Sequence, residues 1–136
     1  MRAVLDPNVL IAAALSPQGS PARILRAWLD GAFELVISPL LLEELERALS
    51  YPKLRQRISA DEAHALVALL RGEAELRSDP TGMQPVRSTD PGDDYLIALA
   101  AESRAIIVSG DHHLLDLADQ LPVKSPVEFL AAIEPP

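Results

Sequence analysis

Residues 105–111 have the sequence AIIVSGD, a continuous apolar run that is rich in β-branched residues and ends in Ser, Gly and Asp. The absence of alternation between apolar and polar side chains is typical of a strand covered on both faces, as in a parallel sheet. The preceding segment 96–101, LIALAA, is apolar on all sides and predicts a buried helix. This pair of elements indicates an α/β fold built around a parallel sheet.

The same alternation of strands and helices extends to both ends of the chain. Strands are predicted at 3–5, at 33–37, at 105–108 and near Val123. Most predicted helices begin with Ser or Asp followed by Pro, an N-cap and a first-turn proline. They begin at Ser20, Ser38, Ser59 or Ala60, Asp90, Asp111 and Ser125, with a short helix at 54–58. The helices from Ser20, Ser38 and Ser125 are predicted to end near Gly31, near Ser50 before Pro52, and at Ile133. A loop with Pro80, Gly82 and Pro85 is predicted at 78–89. Right-handed crossovers then place helices on the faces of the sheet.

This topology predicts four carboxylates at one edge of the sheet. In a parallel α/β sheet the carboxyl ends of the strands share an edge, and each following helix begins over it. Asp6 and Asp111 come directly after strands. Asp94 lies in the first turn of a predicted helix, and Glu44 lies in the second turn of another. Because four such carboxylates repel one another, we expect a hard divalent cation such as Mg²⁺ or Mn²⁺ there, which prefers oxygen ligands.

Helical geometry separates Glu44 from its acidic neighbours. The apolar stripe of the helix from Pro39 consists of Leu41, Leu42, Leu45, Ala48 and Leu49. A rotation of about 100° per residue places Glu43 opposite this stripe, in solvent, and Glu44 and Glu46 on its flanks. Glu44 is nearer the helix start and is therefore preferred for the site. Asn8, two residues after Asp6, is a candidate for orienting Asp6 or a metal-bound water.

Each acid also has a structural explanation. Asp90, Asp93 and Asp94 at a helix start suit capping and the helix dipole, and Asp111 suits an N-cap. Asp6 is harder to explain in this way, because a carboxylate that ends a buried strand is costly without partners. The shared edge, rather than any single acid, indicates a functional site.

Two further groups of polar residues leave alternatives open. His112 and His113, which lie beside Asp111, are candidates for zinc ligands or for a general base. Adjacent histidines at a helix start are expected to point in different directions, and His64 lies on another helix, so we predict no zinc site. The densest basic stretch of the chain consists of Arg47, Lys53, Arg55 and Arg57. We expect these residues to form a solvated face, and contact with an RNA backbone is the alternative.

Composition limits the classes of function. The 136 residues fit one domain, 1–136, and 49% hydrophobic with 24% charged residues indicates a globular protein. The absence of Cys excludes a thiolate zinc site and a cysteine nucleophile, and it suits a reducing cytoplasm, the expected location. We expect neither a signal peptide nor a membrane span. The net charge of −8 argues against a nucleic-acid partner, although a bound cation would change the local sign.

Four motifs of this chain, in the same order, resemble those of PIN domains. They are VLDPNVL at 4–10, Ser38-Pro39 with EEL at 43–45, DPGDD at 90–94 and VSGD at 108–111. The resemblance runs through nearly the whole chain and is greatest to the VapC-like subgroup, the toxin components of toxin–antitoxin systems. It implies a three-layer α/β/α sandwich with a central, mostly parallel sheet.

The resemblance also implies an activity and its residues. The family implies an endoribonuclease that hydrolyses RNA phosphodiester bonds with Mg²⁺ or Mn²⁺, a homodimer, and a cognate antitoxin protein as partner. By motif position, the acids that bind metal and carry catalysis are Asp6, Glu44, Asp94 and Asp111. The polar residues that position substrate are Asn8 and Ser109.

The chain departs from the family pattern at two positions. Pro7 stands where Thr is common, and its fixed φ and missing N–H alter the loop after the first strand. His113 stands where many members carry a further Asp, which bears on a second metal position. Together with the acidic net charge, these departures favour an alternative: a catalytically degenerate PIN-like module that binds RNA or protein.

A phosphohydrolase that works through a phospho-aspartate is a third possibility. Such enzymes commonly carry a second Asp two residues after the nucleophilic one, and Asn8 occupies that position here. No Gly-rich phosphate loop supports a nucleotide switch either.

Overall fold

A computed structural model describes residues 1–82 and 86–134 and contains a five-stranded sheet. The strands are β1 (Arg2–Leu5), β2 (Glu34–Ile37), β3 (Glu75–Leu76), β4 (Ile106–Val108) and β5 (Val123–Lys124). Their order across the sheet is β3-β2-β1-β4-β5, and every neighbouring pair is parallel. The predicted α/β/α sandwich with a central parallel sheet is confirmed.

The helices cover both faces of this sheet. Within the described residues they are α1 (Pro7–Leu15), α2 (Ser20–Leu29), α3 (Pro39–Leu49), α4 (Pro52–Arg55), α5 (Ala60–Glu73), α6 (Asp94–Ser103), α7 (His112–Leu115) and α8 (Pro126–Ile133), with a 3-10 helix at Pro91–Asp93. Contacts join α1 with α2 and α3, α2 with α8, and α3 with α5, whereas α6 packs on β1 and β4. Because β-α-β crossovers are right-handed, the step back across the sheet from β3 to β4 places α6 on the opposite face. Among the described residues no helix is long and apolar enough to cross a membrane.

The core is made by apolar side chains on both faces of the central strands. Ala3, Val4 and Leu5 of β1 are fully buried, as expected for a strand with neighbours on both sides and helices above and below. Phe33 and Phe129 pack edge to face, with ring centroids 5.0 Å apart, and so join the start of β2 to α8. The result is a rigid base under the edge where the strands end.

The predicted helix caps are largely confirmed. The Ser38 hydroxyl accepts a hydrogen bond from the N–H of Leu41, and Ser59 and Ser125 each form a reciprocal capping box. Asp111 is the N-cap of α7. Ser20 differs, because Gly19 is the cap and Ser20 is the first helical residue. Local polar signals of this kind act within one turn, which is why the sequence pattern predicts them.

Three predictions are wrong or incomplete. Helix α1 has no predicted counterpart, because residues 7–15 are almost wholly apolar and lack an amphipathic period. The edge strand β3 was not predicted, and it has only two residues. Pro52 opens α4 as well as following α3, so the short helix covers Pro52–Arg55 rather than 54–58.

The region before α6 also differs from expectation. The α-helix begins at Asp94 and not at Asp90, because the Asp90 carboxylate accepts a hydrogen bond from the N–H of Gly92 and closes a 3-10 turn first. The described parts of the predicted loop, 78–82 and 86–89, contain neither helix nor strand. Pro85 lies outside the described residues.

Candidate active site

Asp6 lies at the end of β1 and is the most buried acid of the site, with 5% of its surface exposed. Its carboxylate accepts hydrogen bonds from the backbone N–H of Asn8 at 3.0 Å and from the Ser109 hydroxyl at 2.8 Å. Burial raises the pKa of Asp6, the two hydrogen bonds oppose that rise, and the charge of Asp111 adds to it. A buried carboxylate with only two donors is fixed in orientation and has remaining acceptor capacity.

A chain of hydrogen bonds connects the ends of β1 and β4. Ser109 is completely buried, accepts from the N–H of Asp111 at 3.0 Å and donates to Asp6. Asp111 in turn accepts from the N–H of His113 at 2.9 Å. Because Leu5 and Val108 are register partners in the sheet, strand pairing itself brings Asp6 and Asp111 to neighbouring positions. The topology therefore does bring these two predicted acids together.

The carboxylate that interacts with Asp6 and Asp111 belongs to Asp93 and not to Asp94. The charges of Asp111 and Asp6 both raise the pKa of Asp93, so the three carboxylates lie close together. The Asp94 carboxylate instead accepts a hydrogen bond from the N–H of Ser88 at 3.0 Å. Asp94 is the next residue along the chain, and helical geometry rotates its side chain by about 100° from that of Asp93. The sequence pattern indicated only a capping role for Asp93, and no sequence signal distinguishes it from Asp94.

The electrostatics of Asp93 are those of a crowded anionic site. Desolvation raises its pKa to about 7, with further contributions from Asp111, Asp6 and Asp90. The pKa of Asp111 is lowered, chiefly by the N–H of His113. One Oδ atom of Asp93 is buried without a hydrogen-bond partner among the described residues. A buried acceptor without a donor, beside two other carboxylates, fits a site that takes up a proton or a cation.

Glu44 lies in the second turn of α3 and is connected to the cluster through its charge effect on Tyr95. Its side chain is 43% exposed and lies 3.8 Å from the Arg47 guanidinium, whereas Glu43 is exposed and Glu46 pairs with Arg71 at 2.8 Å. The predicted exposure of Glu43 is thus confirmed. The charges of Glu44, Asp6 and Asp93 all contribute to raising the pKa of Tyr95, after desolvation as the main cause.

Tyr95 lies among these acids, although the sequence analysis did not single it out. Its hydroxyl oxygen is buried and has no hydrogen-bond partner among the described residues. Because its pKa is raised, the hydroxyl stays protonated and is a hydrogen-bond donor at neutral pH. Its position directly after Asp94 in the sequence is a signal that could have identified it.

The two histidines flank the acids on α7. Their rings lie 4.2 Å apart and are tilted by 36°, so the expectation that they point in different directions is wrong. Both Nδ1 atoms turn towards Asp111, at 3.1 Å for His113 and 3.9 Å for His112. Within the described residues, two groups have possible ligand atoms within 4.8 Å of one another: Asp111 with His112 and His113, and Asp90 with Asp93 and His113.

The two predicted positioning residues have different surroundings. Asn8 is exposed and lines a groove of about 360 Å³ together with Asp111 and Gly110. It orients Asp6 through its backbone N–H, and its amide is free to face the groove. The Ser109 hydroxyl is buried and is used by Asp6 and Asp111, so it acts on the acids directly.

The arrangement is one of oxygen ligands around a partly enclosed edge. Asp6 and Asp111 come from strand ends, Asp93 from the 3-10 helix and Glu44 from α3. Carboxylates of this kind suit hard divalent cations, which neutralise their mutual repulsion. The site also opens on a groove where a phosphate backbone can approach.

Sequence comparisons identify relatives of this chain. The family model described as PIN domain matches residues 2–113. The protein MJ1680 of Methanocaldococcus jannaschii is 29% identical over 145 residues, which cover 98% of this chain and 92% of that protein.

Solved structures share the fold at low identity. VapBC2 from Rickettsia felis, bound to a DNA fragment from their promoter, has a TM-score of 0.62 and 14% identity, covering 92% of this chain and 98% of that chain. PAE2754 from Pyrobaculum aerophilum has a TM-score of 0.69 and 19% identity, covering 98% and 89%. The PIN domain of human SMG5 has a TM-score of 0.55 and 14% identity, covering 98% and 100%.

Proposed function

We propose that this chain, which belongs to the PIN domain family, is a metal-dependent endoribonuclease that hydrolyses RNA phosphodiester bonds. The family is of nuclease type. The observation that carries the proposal is the cluster of Asp6, Asp93 and Asp111, with Glu44 near the same Tyr95. No covalent nucleophile is required by this chemistry, and the chain contains no Cys.

The acids fit a hard divalent cation, Mg²⁺ or Mn²⁺. The buried Oδ atom of Asp93 lacks a donor among the described residues, and like charges raise its pKa, both of which a cation relieves. Asp6, Asp93 and Asp111 would hold the ion, and the family motifs add Glu44 and Asp94 as ligands. When bound, such an ion lowers the pKa of water and stabilises charge on phosphate oxygens.

The surrounding residues prepare the acids for this role. Ser109 and the N–H of Asn8 hold the Asp6 carboxylate in one orientation. The protonated Tyr95 hydroxyl is available to donate a hydrogen bond within the cluster. The Asn8 amide faces the groove and is proposed to position the RNA backbone.

The biological role that we propose is that of a toxin in a toxin–antitoxin pair. The structure of VapBC2 from Rickettsia felis, which shares this fold, supports a cognate antitoxin as a partner. A homodimer is also proposed, because the resemblance of the four motifs to PIN domains implies one.

A degenerate module that binds RNA or protein without turnover is the second candidate. It is favoured by His113, which lies 3.1 Å from Asp111 where the family often has another Asp, and by the net charge of −8. This module would share the fold and lack the cleavage.

Cleavage of a mixed RNA pool in Mg²⁺, in Mn²⁺ and in EDTA tests the proposal. We expect cutting that requires metal and is lost in Asp6→Asn. The matched control is Asp30→Asn, which neutralises an exposed acid after α2, at the opposite edge of the sheet. Asp93→Asn and Asp94→Asn, run side by side, identify which of the neighbours serves the site. A folded, metal-loaded protein that cuts nothing would instead support the degenerate module.

A further inference from the structure

A second, basic surface lies on the short helix α4, and it is separate from the acid cluster. Residues 51–60, YPKLRQRISA, contain three cations and no carboxylate in a chain whose net charge is −8. The three define the α4 basic surface: Lys53, Arg55 and Arg57. All three are exposed and none has a hydrogen bond or ion pair with a described residue.

The lack of partners distinguishes these cations from others in the chain. Arg71 pairs with Glu46, and Arg2 pairs with Glu34 and Glu75. A surface helix of an acidic protein has many carboxylates available for pairing, and α4 uses none of them. Unpaired cations concentrated on one exposed turn produce a local positive field, which attracts a polyanion.

Two neighbouring features suit nucleotides rather than a simple anion. Tyr51, directly before α4, is 54% exposed and offers an aromatic face on which a base can stack. A groove of about 260 Å³ between α3, α4 and α5 is lined by Arg55, Arg71 and Glu46 and by apolar residues that include Leu49 and Val67. Exposed aromatic and cationic side chains near one another are the usual means of binding single-stranded nucleic acid without sequence preference.

The α4 basic surface is connected to the acid cluster by α3. Helix α3 begins over the carboxyl edge of the sheet, after Ser38, and runs away from it to Leu49, two residues before Tyr51. Its eleven residues span about 16 Å at 1.5 Å per residue, so an RNA strand bound at Tyr51 and Arg55 would reach the acids by extending over the length of α3.

From these observations we propose that Tyr51 and the α4 basic surface form a binding site for single-stranded RNA, which anchors the strand at the far end of α3 from the acid cluster. This inference rests on the proposed function, because it takes RNA as the substrate. It adds a sequence-independent anchor: the cations bind phosphates and Tyr51 stacks on a base. The same site explains how an acidic chain holds a polyanionic substrate.

The salt dependence of RNA binding tests the proposal. In an Asp6→Asn background, which is expected to bind without cutting, we would measure the affinity for a labelled single-stranded RNA over a range of salt concentrations. Each phosphate contact contributes about 0.7 to the slope of log affinity against log salt for single strands. We expect Arg55→Ala/Arg57→Ala to lower that slope by about 1.4. We expect Tyr51→Ala to weaken binding roughly fivefold or more without changing the slope.

A matched pair of charge removals provides the control. Arg26→Ala/Arg104→Asn also removes two exposed arginines, and Asn tolerates the left-handed backbone at Arg104, where φ is 55°. Both sites lie towards the edge of the sheet away from the acids. This control should leave the slope unchanged. Melting curves would check that every variant is folded at the assay temperature, because Arg26→Ala also removes the hydrogen bond from the Arg26 guanidinium to the Pro17 carbonyl.

The outcomes separate this inference from the proposed function. An unchanged slope in Arg55→Ala/Arg57→Ala, in a protein that cuts RNA, would overturn the α4 site and leave the nuclease standing. An equal loss in both arginine pairs would overturn it as well, because only net charge would matter. A lower slope for Arg55→Ala/Arg57→Ala, in a protein that does not cut RNA, would support the α4 site in a degenerate module. Binding of an acidic protein in place of RNA would assign the surface to a protein partner instead.

Discussion

At the scale of single residues, Asp93 and Asp94 have the same chemistry and different surroundings. Asp93 interacts with Asp111 and Asp6, and its pKa is raised to about 7, whereas Asp94 accepts a hydrogen bond from Ser88. Asp93 ends the 3-10 helix and Asp94 begins α6, and both belong to one motif. The difference arises from the 3-10 turn at Pro91–Asp93, which sets the direction of each side chain.

The raised pKa of Asp93 predicts a pH dependence of stability in the metal-free protein. The folded state holds the proton up to about pH 7, whereas the unfolded chain releases it near pH 3.8, the ordinary pKa of an aspartate. The stability from this group is therefore complete below about pH 4 and is lost as the pH rises through 7. We expect Asp93→Asn in EDTA to melt at a higher temperature than wild type at pH 8 and at a similar one at pH 4. Asp94→Asn is the control, and an Asp93→Asn profile parallel to wild type would contradict the prediction.

The buried hydroxyl of Tyr95 predicts a stabilising substitution. A buried polar group without a partner destabilises the fold, so Tyr95→Phe should raise the free energy of unfolding by about 1 kcal/mol. Under the proposed function, the same change should slow RNA cleavage, because it removes a donor from the acid cluster. Chemical denaturation and cleavage rates would be measured beside Tyr51→Phe, whose ring is exposed. A loss of stability in Tyr95→Phe would mean that its hydroxyl has a partner.

Only some of the site residues could be predicted from the sequence. Asp6 and Asp111 could be predicted because each directly follows a strand, and parallel strands end at one edge. The choice between Asp93 and Asp94 could not, since it depends on a turn of three residues before the helix. The effect of the Glu44 charge on Tyr95 depends on the tertiary structure, because α3 and α6 are distant in the sequence.

At the scale of elements, helix starts were predictable and helix lengths were less so. The serine caps act through one hydrogen bond to a backbone N–H within the same turn, so their signal is local. Helix α1 and strand β3 were not predictable, because uniform burial removes the periodicity of the former and the latter spans two residues. The buried elements β4 and α6 were nevertheless predictable, because turn or cap residues bound them.

The capping box at the start of α5 predicts the cost of losing a cap. Ser59 and Glu62 exchange hydrogen bonds of 3.1 Å, so Ser59→Ala leaves the N–H of Glu62 without its acceptor. We expect a loss of about 1 kcal/mol in the free energy of unfolding. Urea denaturation would measure it against Ser78→Ala, an exposed serine that caps no helix. Equal stability of the two variants would show that the cap contributes nothing.

At the scale of the whole molecule, the topology follows from the order of strands and helices. Alternating elements, continuous apolar strands and right-handed crossovers define a parallel sheet and its carboxyl edge before any side chain is considered. The position of β1 in the middle of the sheet does not follow from the sequence, because a crossover can return to either side. The acid cluster lies where it does because the chain reverses direction across the sheet after β3.

Metal binding predicts a change in the stability of the whole domain. A cation that binds only the folded state adds about 2.7 kcal/mol at a concentration of 100 times its dissociation constant. We expect Mg²⁺ or Mn²⁺ to raise the melting temperature relative to EDTA in the wild type and in Asp30→Asn, and not in Asp6→Asn. This readout does not require catalysis, so it tests the metal site in the degenerate module too. An equal increase in Asp6→Asn would mean that the ion binds elsewhere.

The hydrogen bond from Ser109 to Asp6 joins residues that are 103 positions apart in the chain. Strand β1 is therefore translated about 100 residues before its neighbour β4 and before the orienting hydroxyl. Until then, the Asp6 carboxylate has no fixed direction and its strand has an unpaired side. A growing polypeptide thus carries an incomplete acid cluster until Ser109 has been translated, and a host cell would meet an assembled one only after that point.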